Sequence, residues 1–540
     1  MNPVSLGRPG TLLGYVLGSV LCVAPGLAAQ VTDPETQDRS APLIEEVFID
    51  TDNVFSDAEA ARTWIYRTAN SLRVRTRARV VSRELLFAVG QPADSALLAE
   101  TERNLRSLGL FRSAHVDTTR IAGRLVARVL TTDAWSTQPI VSGRFASDGT
   151  LTGKLGLTEK NFLGTGNLVT GAYRKDVDRS GAQLALRWRR LLSTQLNVFA
   201  DALLLSDGSS GAWLVGDPWR SQKDRTLVLV GGRAADRRRI RYRSVSATER
   251  DTVQFEQHLY QQNLSLGRAL VATTRRTLRV GVLATYRNER ILAAADSLLP
   301  VPDSVFWDVG VFAQFEQPKY RVVTYLDGLN EQDIDLSTGI VLEARLAPAA
   351  FGYARTGIGP ALKVHGGVAA GPVMLRGAIQ ANGLFNAAGL DSGRVVASVV
   401  GALLPGNQHA TLLQVQGGIS ERPAPGDEFD LGFAVGLRGF EPHSFVGTRA
   451  VWGTLEHRWY AFPQVLDQFG LGLAAYLDFG GAWYADQDPR WGAEVGVGLR
   501  TSSRLSASAK SSRIDLGYLI APGIEGSRFV LSVSSAVRFF

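Results

Sequence analysis

The sequence predicts an all-β transmembrane barrel of antiparallel strands, preceded by a small α/β domain. Three observations lead to this fold class. From about residue 137 onward, apolar and polar residues alternate with a period of two in one segment after another. No internal stretch is apolar over the ~18 residues that a membrane-spanning helix needs, and the longest candidate, 395–404, contains Ser398 and Gly401. The N-terminus has the pattern of an export signal.

Residues 1–29 are predicted to be a cleaved secretory signal peptide. Arg8 precedes the apolar run 12–23, and Ala28-Ala29 supplies the small residues that signal peptidase requires. A retained membrane anchor is the alternative, but the apolar run is short for one. The only cysteine of the chain, Cys22, lies inside this segment. The exported protein is therefore predicted to contain no disulfide bond.

Residues 30–42 are predicted to be a polar leader, and residues 43–131 a small α/β domain. Ile44 begins a strand, and Ser56-Asp57 is a helix cap. Leucines at helical spacing predict a second helix over 95–108, which Gly109 ends. A hairpin of two strands follows. The predicted order of elements is strand, helix, helix, strand, strand.

Residues 137–540 are predicted to form the barrel. In one clear example, Leu278, Val280, Val282, Ala284 and Tyr286 share one face of a strand, while Arg279, Gly281, Thr285 and Arg287 share the other. Soluble sandwiches also alternate. Arginine and aspartate in mid-strand, repeated over the whole region, favour a lipid-facing apolar face and a lumen-facing polar face. The chain ends in a strand with Phe539 and Phe540, as expected of a last strand that closes on the first.

The net charge of +7 and the pI of about 9.5 do not indicate nucleic-acid binding. No motif that reads DNA or RNA is present, so we predict basic side chains that line a lumen or contact lipopolysaccharide. The basic segment 237–243 is predicted to be a solvated or lipopolysaccharide-facing loop, with substrate steering as the alternative. The 6 histidines show no metal-ligand spacing. With neither a nucleophile elbow nor a phosphate-binding loop, the sequence predicts a protein that is not an enzyme and needs no cofactor or metal.

One short motif predicts a site inside the barrel. Leu437, Arg438, Gly439 and Phe440 follow a strand-like run and precede Pro442, which predicts a loop. An arginine buried in a barrel needs a carboxylate, because an unpaired buried charge is very costly. Asp478 and Glu456 are the candidate partners downstream.

The chain resembles the BamA/TamA superfamily of outer-membrane assembly and secretion barrels, the bacterial surface antigen family. In chain order, the motifs that carry the resemblance are Gly109-Leu110-Phe111, Asn161-Phe162-Leu163-Gly164-Thr165-Gly166-Asn167, Leu437-Arg438-Gly439-Phe440, Tyr476-Leu477-Asp478, 496–500 and Arg513-Ile514-Asp515-Leu516-Gly517-Tyr518. The resemblance implies about 16 antiparallel strands and one POTRA-like (polypeptide-transport-associated) domain at 43–131. It also implies a barrel hairpin motif at Asn161, Phe162, Gly164 and Gly166, and a C-terminal barrel signal at Phe539 and Phe540.

The resemblance further implies where the protein works and with what. Arg438 would contact Asp478 and Glu456 in the lumen of a barrel in the bacterial outer membrane, with the POTRA-like domain in the periplasm. The implied partners are unfolded outer-membrane or exported client proteins, outer-membrane lipids and lipopolysaccharide, and accessory lipoproteins. The implied function is assembly or insertion of client strands at the barrel seam. A two-partner-type secretion pore and a transport-inactive structural barrel are the alternatives.

Overall fold

The computed structural model describes residues 42–55, 57–72, 74–146, 151–191, 194–244, 250–293, 304–433, 435–465, 468–507, 510–522 and 528–537. The predicted signal peptide, residues 30–41 of the predicted leader, and the predicted C-terminal signal at Phe539 and Phe540 lie outside these ranges. Within them, no helix is both long enough and apolar enough to span a bilayer.

The N-terminal domain is a three-stranded sheet with four helices, where the sequence pattern predicted two helices. Its elements are β1 (Glu46–Asp52), α1 (Asp57–Arg62), α2 (Trp64–Leu72), α3 (Ala78–Ser82), α4 (Ser95–Ser107), β2 (Phe111–Ile121) and β3 (Arg124–Asp133). The central strand, β3, pairs in parallel with β1 and antiparallel with β2. Both β1 and β2 are therefore edge strands of this sheet.

Helix α4 is fixed at both ends and by its apolar face. The Asp94 side chain accepts hydrogen bonds from the backbone N–H groups of Ala96 and Leu97, which caps the first turn. Gly109, with φ of 68°, takes the left-handed conformation that ends the helix. Between these ends, Leu105 is completely buried in a core that includes Ile44, and burying a side chain of this size contributes roughly 1.5–3 kcal/mol.

A closed antiparallel barrel follows the domain, as predicted. Its strands are β4 (Thr137–Ala146), β5 (Leu151–Phe162), β6 (Asn167–Lys175), β7 (Ser180–Trp188), β8 (Asn197–Leu205), β9 (Gly208–Asp217), β10 (Thr226–Ser244), β11 (Arg250–Ala272), β12 (Thr277–Ala293), β13 (Ser304–Gln317), β16 (Thr338–Ala347), β17 (Gly357–Ala370), β18 (Val373–Asn386), β19 (Gly389–Gly406), β20 (His409–Glu421), β23 (Arg449–Val465), β24 (Phe469–Trp483), β25 (Gly492–Ser503), β26 (Ser511–Ile520) and β27 (Phe529–Val537). They pair in chain order, and β27 closes on β4.

The barrel has twenty strands in the described residues, so the predicted number of about 16 is wrong. The reason lies in short strands and tight connections. Strands β6, β7 and β8 have only 9 residues each. Only two residues separate β17 from β18, and two more separate β18 from β19. Shorter repeats place four more strands in the same length of chain.

The two faces of the barrel wall differ as predicted. On β12, Val282 on the outer face is 47% exposed, whereas Arg279 on the lumen face is 5% exposed. Outward-facing apolar side chains recur on the neighbouring strands, among them Leu264, Leu266, Val309 and Val311. An apolar outer face with a polar inner face is the pattern of a barrel that faces lipid.

The prediction of a loop at 237–243 is wrong. This segment belongs to β10, which runs on to Ser244 in register with β11. Alternation turns Arg239 and Arg241 toward the lumen, where Arg239 lies 2.6 Å from Asp427 and Arg241 lies 2.8 Å from Glu428. Carboxylates beside Arg239 and Arg241 favour the extended strand here.

Two long connections leave the barrel wall. We call the end at which β4 begins the domain end and the opposite end the far end. Residues 318–337 connect β13 to β16 at the domain end and include the hairpin β14 (Tyr320–Val323) and β15 (Gln332–Asp335). Residues 422–448 connect β20 to β23 at the far end and include β21 (Phe429–Leu431) and β22 (Phe445–Gly447). These are the domain-end insert and the far-end insert.

Candidate functional site

Arg438 of the far-end insert is buried in the barrel lumen, with 3% of its surface exposed. Its guanidinium donates two hydrogen bonds to Asp478, from Nε to Oδ2 at 2.7 Å and from Nη2 to Oδ1 at 3.0 Å. Nη1 donates to Glu456 Oε2 at 2.9 Å. The structure therefore places Arg438 against both carboxylates that the sequence proposed as its partners.

Strand register explains why these carboxylates converge. Glu456 lies on β23 and Asp478 on the neighbouring strand β24, where Asp478 pairs with Thr454. Thr454 and Glu456 are two residues apart, so both side chains point to the lumen face of β23. The Thr454 hydroxyl donates to Asp478 Oδ1 at 2.7 Å and orients that carboxylate toward the arginine.

Three further charged residues join the network, and the sequence pattern did not single them out as site residues. Asp515 on β26 accepts from Arg438 Nη1 at 2.9 Å. Arg500 on β25 donates to Glu456 at 2.8 Å and to Asp515 at 2.5 Å. Arg458 on β23 donates to Glu456 at 2.7 Å. A signal was present in the sequence: each is a charged residue at a lumen-facing position of a strand whose outward positions are mostly apolar.

The network balances its charges. Three arginines, Arg438, Arg458 and Arg500, contact three carboxylates, Glu456, Asp478 and Asp515. Every member is at most 3% exposed. Breaking one buried pair by removing a single partner commonly costs about 3–5 kcal/mol, because the remaining charge stays buried without compensation. The loss of any one of these side chains is therefore expected to destabilise the barrel strongly.

Gly439 and Phe440 hold the loop against the barrel wall. The Gly439 backbone N–H donates to Glu494 Oε2 at 2.6 Å, and a methyl group added at Gly439 would lie 2.5 Å from the same oxygen. Only glycine allows this approach without displacing the carboxylate. The ring of Phe440 lies 5.3 Å from that of Phe445 in a buried apolar cluster. Leu437, in the same cluster, is completely buried.

The far-end insert also contacts the first barrel strand. Arg144 of β4 donates from Nε to the backbone oxygen of Gly439 at 2.7 Å, and its Nη1 lies 3.7 Å from Glu441. Arg144 is 4% exposed. Residues 437–440, which we call the motif loop, are therefore bonded both to the carboxylates of β23, β24 and β26 and to β4, the strand on which the barrel closes.

The domain-end insert reaches the same network from the opposite side. Arg458 Nη1 donates to the backbone oxygen of Leu326 at 2.7 Å. Glu456 therefore lies between Arg438 of the far-end insert and Arg458, which binds the domain-end insert. The other end of this insert binds the N-terminal domain. Arg106 of α4 donates to Asp333 from Nε and Nη2, each at 2.8 Å. An unbroken series of contacts thus joins the N-terminal domain, the domain-end insert and the lumen network.

The outer part of the far-end insert is held by a histidine. His443 Nδ1 lies 2.6 Å from Asp430 and Nε2 lies 3.2 Å from Asp178, in the connection between β6 and β7. Its ring stacks on Tyr242 of β10 at 4.0 Å. Burial lowers the pKa of His443, but the two aspartates outweigh it and raise that pKa to about 9. His443 is therefore charged at neutral pH.

Among the described residues, the only group of metal-binding type is formed by Asp176, Asp178 and His443, whose ligand atoms lie within 4.8 Å of one another. The ion pair between His443 and Asp178 accounts for this approach without a metal. We assign no metal or cofactor to these residues.

The predicted hairpin motif lies at the junction of domain and barrel. Asn161 Oδ1 accepts from the Gly166 N–H at 3.0 Å, and Asn161 Nδ2 donates to Thr76 of the domain at 2.9 Å. Gly164 and Gly166 both have φ of 71°, the left-handed region that favours glycine. The motif therefore shapes the turn between β5 and β6 and bonds it to the domain.

No protein-family model matches the sequence, and no curated protein matches it either. Solved structures match it at low identity and low structural similarity. CdiB from Escherichia coli is 13% identical, with a TM-score of 0.44, over 95% of this chain and 93% of that chain. BamA from Haemophilus ducreyi lacking POTRA domains 1-3 is 11% identical, with a TM-score of 0.37, over 91% of this chain and 85% of that chain.

The FrpB iron transporter from Neisseria meningitidis is 7% identical, with a TM-score of 0.39, over 79% of this chain and 87% of that chain. With identities of 7–13% and TM-scores below 0.5, these matches carry no argument about activity, which is argued from the residues.

Proposed function

We propose that this protein is an outer-membrane assembly or insertion factor of the BamA/TamA type. In this proposal the barrel lies in the bacterial outer membrane and the N-terminal domain is a POTRA-like domain in the periplasm. Unfolded client proteins are the substrates, outer-membrane lipids and lipopolysaccharide surround the barrel, and accessory lipoproteins are candidate partners. The work is strand pairing and apolar burial, so it requires no enzymatic step, cofactor or nucleic acid.

The observation that carries the proposal is the short seam between the last strand and the first. In the described residues, β27 pairs with β4 over five positions, from Ser534↔Ser142 to Val530↔Ala146. By comparison, β4 pairs with β5 over nine positions and β10 with β11 over nineteen. A strand edge cannot remain open toward hydrocarbon. The shortest closure is therefore the place where a client strand could pair with least loss.

The motif loop is suited to control this seam. Arg144, which bonds to Gly439, sits on β4 within the paired stretch, opposite Ser532. Separation of β4 from β27 would pull on a loop that three carboxylates hold. The network would thus resist opening until a client strand supplies replacement hydrogen bonds.

The N-terminal domain offers an edge for capturing clients. Strand β1 pairs only with β3, so the described part of its other edge has backbone groups available to an added strand. Adding a strand to a sheet edge binds extended peptides through main-chain hydrogen bonds with little sequence preference. We infer that unfolded segments bind here before they reach the seam.

Locking the seam tests the proposal. In a background with Cys22→Ser, Ser142→Cys and Ser534→Cys would place a disulfide across the closure, whereas Thr501→Cys and Ser512→Cys would place one between β25 and β26. We expect the oxidised seam lock to deplete other barrel proteins from the outer membrane and reduction to restore them. The matched control lock should leave their levels normal. A normal outer-membrane proteome under the seam lock, or after depletion of the protein, would instead favour a structural barrel.

A secretion pore is the second candidate, because a barrel of twenty strands encloses a wider lumen than one of sixteen. Both inserts would have to leave the lumen before a chain could pass. In planar bilayers a pore should show ion conductance that rises when Arg438→Ala releases the far-end insert. Unchanged, near-zero conductance in that variant would argue against a pore, while the seam-lock experiment would still stand.

A further inference from the structure

An exposed surface at the domain end combines arginines with apolar side chains. Its members, which we call the turn–arginine surface, are Val74, Arg75, Arg77 and Arg79 from the domain and Phe162 and Leu163 from the turn between β5 and β6. Val74 is 50% exposed, Phe162 41% and Leu163 57%, and all three arginines are exposed. No part of the proposed insertion function accounts for this combination.

The backbone between the arginines is firmly held, which directs their side chains outward. Thr76 is 3% exposed, its N–H donates to Asp133 at 3.0 Å, and its hydroxyl accepts from Asn161 at 2.9 Å. Because successive residues of an extended chain point in opposite directions, a buried Thr76 leaves Arg75 and Arg77 facing solvent.

The domain and turn residues form one continuous surface. The Arg77 N–H donates to the backbone oxygen of Gly164 at 3.1 Å. A methyl group added at Gly164 would lie 2.9 Å from a methyl carbon of Val74. The tip of the β5–β6 turn therefore lies directly against the arginine-bearing segment.

This surface begins where the lipid-facing wall of the barrel ends. On the outer face of β5, Leu155 is 67% exposed and Leu157 is 58% exposed. An irregularity in the pairing of β5 with β6, between Glu159 and Phe162, shifts the alternation by one residue. Phe162 consequently continues the outer apolar column toward the domain.

The charge of the segment is strongly one-sided. Between Glu59 and Glu84 the sequence contains seven arginines and no acidic residue. Glu84 itself is engaged by Arg190, whose Nε lies 2.8 Å from it. Positive charge beside apolar side chains at the edge of a hydrocarbon-facing wall suits a layer of anionic headgroups above acyl chains.

We propose that the turn–arginine surface docks on anionic phospholipid headgroups of the leaflet at the domain end, beside the first strands of the barrel. Continuity with the lipid-facing wall favours a bilayer over an acidic protein as the partner. The contact would hold the N-terminal domain against the membrane next to the seam. It requires only that the barrel is embedded, so it stands apart from the proposed insertion function.

Hydrogen exchange of the full chain in lipid nanodiscs tests the inference. The probes are discs of phosphatidylcholine alone and discs that also contain phosphatidylglycerol, at low and high salt. We expect amides of 74–82 to exchange several-fold more slowly in the anionic discs, with the protection lost at high salt. Each arginine near an anionic surface contributes on the order of fivefold in affinity. Arg75→Gln with Arg77→Gln should therefore return the exchange to the rate in neutral discs.

The matched control is Arg120→Gln with Arg124→Gln, a pair of exposed arginines at the turn between β2 and β3, which should keep the protection. Exchange in the barrel strands shows whether each variant is folded. Equal protection in neutral and anionic discs, or equal loss in both double variants, would overturn the inference. Protection by soluble polyglutamate in neutral discs would also overturn it and would assign the surface to an acidic protein.

Discussion

The two inserts meet the same lumen network in different ways. The far-end insert brings a permanently charged side chain, Arg438, into contact with three carboxylates. The domain-end insert contributes the backbone oxygen of Leu326 to Arg458, and the carboxylate of its Asp327 lies 3.9 Å from the same guanidinium. The hydrogen-bonded ion pairs of Arg438, at 2.7–2.9 Å, are more costly to break than one hydrogen bond and one longer ion pair. The network itself therefore holds the far-end insert more tightly than the domain-end insert.

This asymmetry has a functional meaning under the proposed function. The domain-end insert is the one bonded to the N-terminal domain, through Arg106 and Asp333. A client held by the domain would act first on the weaker insert, and the change would reach Glu456 through Arg458. The far-end insert, which bonds the seam strand through Arg144, would respond last.

Replacing Arg438 should have the largest effect. Arg438→Ala leaves Glu456, Asp478 and Asp515 buried with one positive partner fewer, and we expect a loss of about 3–5 kcal/mol in the free energy of unfolding. The measurement is urea unfolding of the purified barrel, followed by tryptophan fluorescence. Arg449→Ala, which removes an exposed arginine at the start of β23, is the control and should change stability by less than about 0.5 kcal/mol. Equal losses in both variants would contradict a special role for the network.

The stability of the far-end insert around His443 should depend on pH. The pKa of His443 is about 9 in the folded protein, above an ordinary value of about 6.5. The stabilisation is therefore complete below pH ~6.5 and is lost as the pH rises through about 9, with a total of roughly 3 kcal/mol. Both Asp178 and Asp430 face the ring. Burial raises the pKa of Asp178, but its hydrogen bonds with His443 and Tyr242 outweigh burial and lower that pKa, so Asp178 remains ionised across this window.

Unfolding between pH 6 and pH 10 should show this loss in the native chain and not in His443→Gln. His258, which pairs at 3.2 Å with Asp236 but is half-exposed, provides the matched variant His258→Gln and should preserve the pH dependence. A native chain equally stable at pH 6 and pH 10 would rule out the histidine contact as a stabilising element.

The contrast between the inserts also explains what the sequence could predict. Arg438 stands out because charge, glycine and a neighbouring proline occur together, and its partners Glu456 and Asp478 are single acids in alternating strands. The domain-end insert has no such signal. Strands β14 and β15 have only 4 residues each, too few for a period to be visible. Its role depends on contacts with Arg106 and Arg458, which are more than a hundred residues away in opposite directions along the chain.

The number of barrel strands could not be predicted from the sequence, for a related reason. Each lipid-facing strand carries a weak periodic signal, and where a turn has two residues the pattern of one strand runs almost directly into the next. The connection between β19 and β20, at Asn407 and Gln408, is of this kind, and both residues have positive φ. The closure of β27 on β4 was predictable from the need to satisfy an edge, but its shortness was not.

The smallest effect should come from the contact between the domain and its insert. Asp333→Asn weakens the partly buried bidentate pair with Arg106, in which the side chains are 13% and 18% exposed, and we expect a loss of about 1–2 kcal/mol. Arg128 and Asp117 form a similar bidentate pair in the same domain, but at 38% and 49% exposure. Asp117→Asn should therefore cost much less, because solvent screens an exposed ion pair. Hydrogen exchange distinguishes the two variants: Asp333→Asn should speed exchange in both α4 and 318–337, whereas Asp117→Asn should affect only β2 and β3.

The same measurement tests the coupling between the domain and the lumen network. If Asp333→Asn speeds exchange in the domain-end insert but leaves exchange around Glu456 unchanged, the domain and the lumen network are not coupled. The order of events proposed for the two inserts would then be wrong.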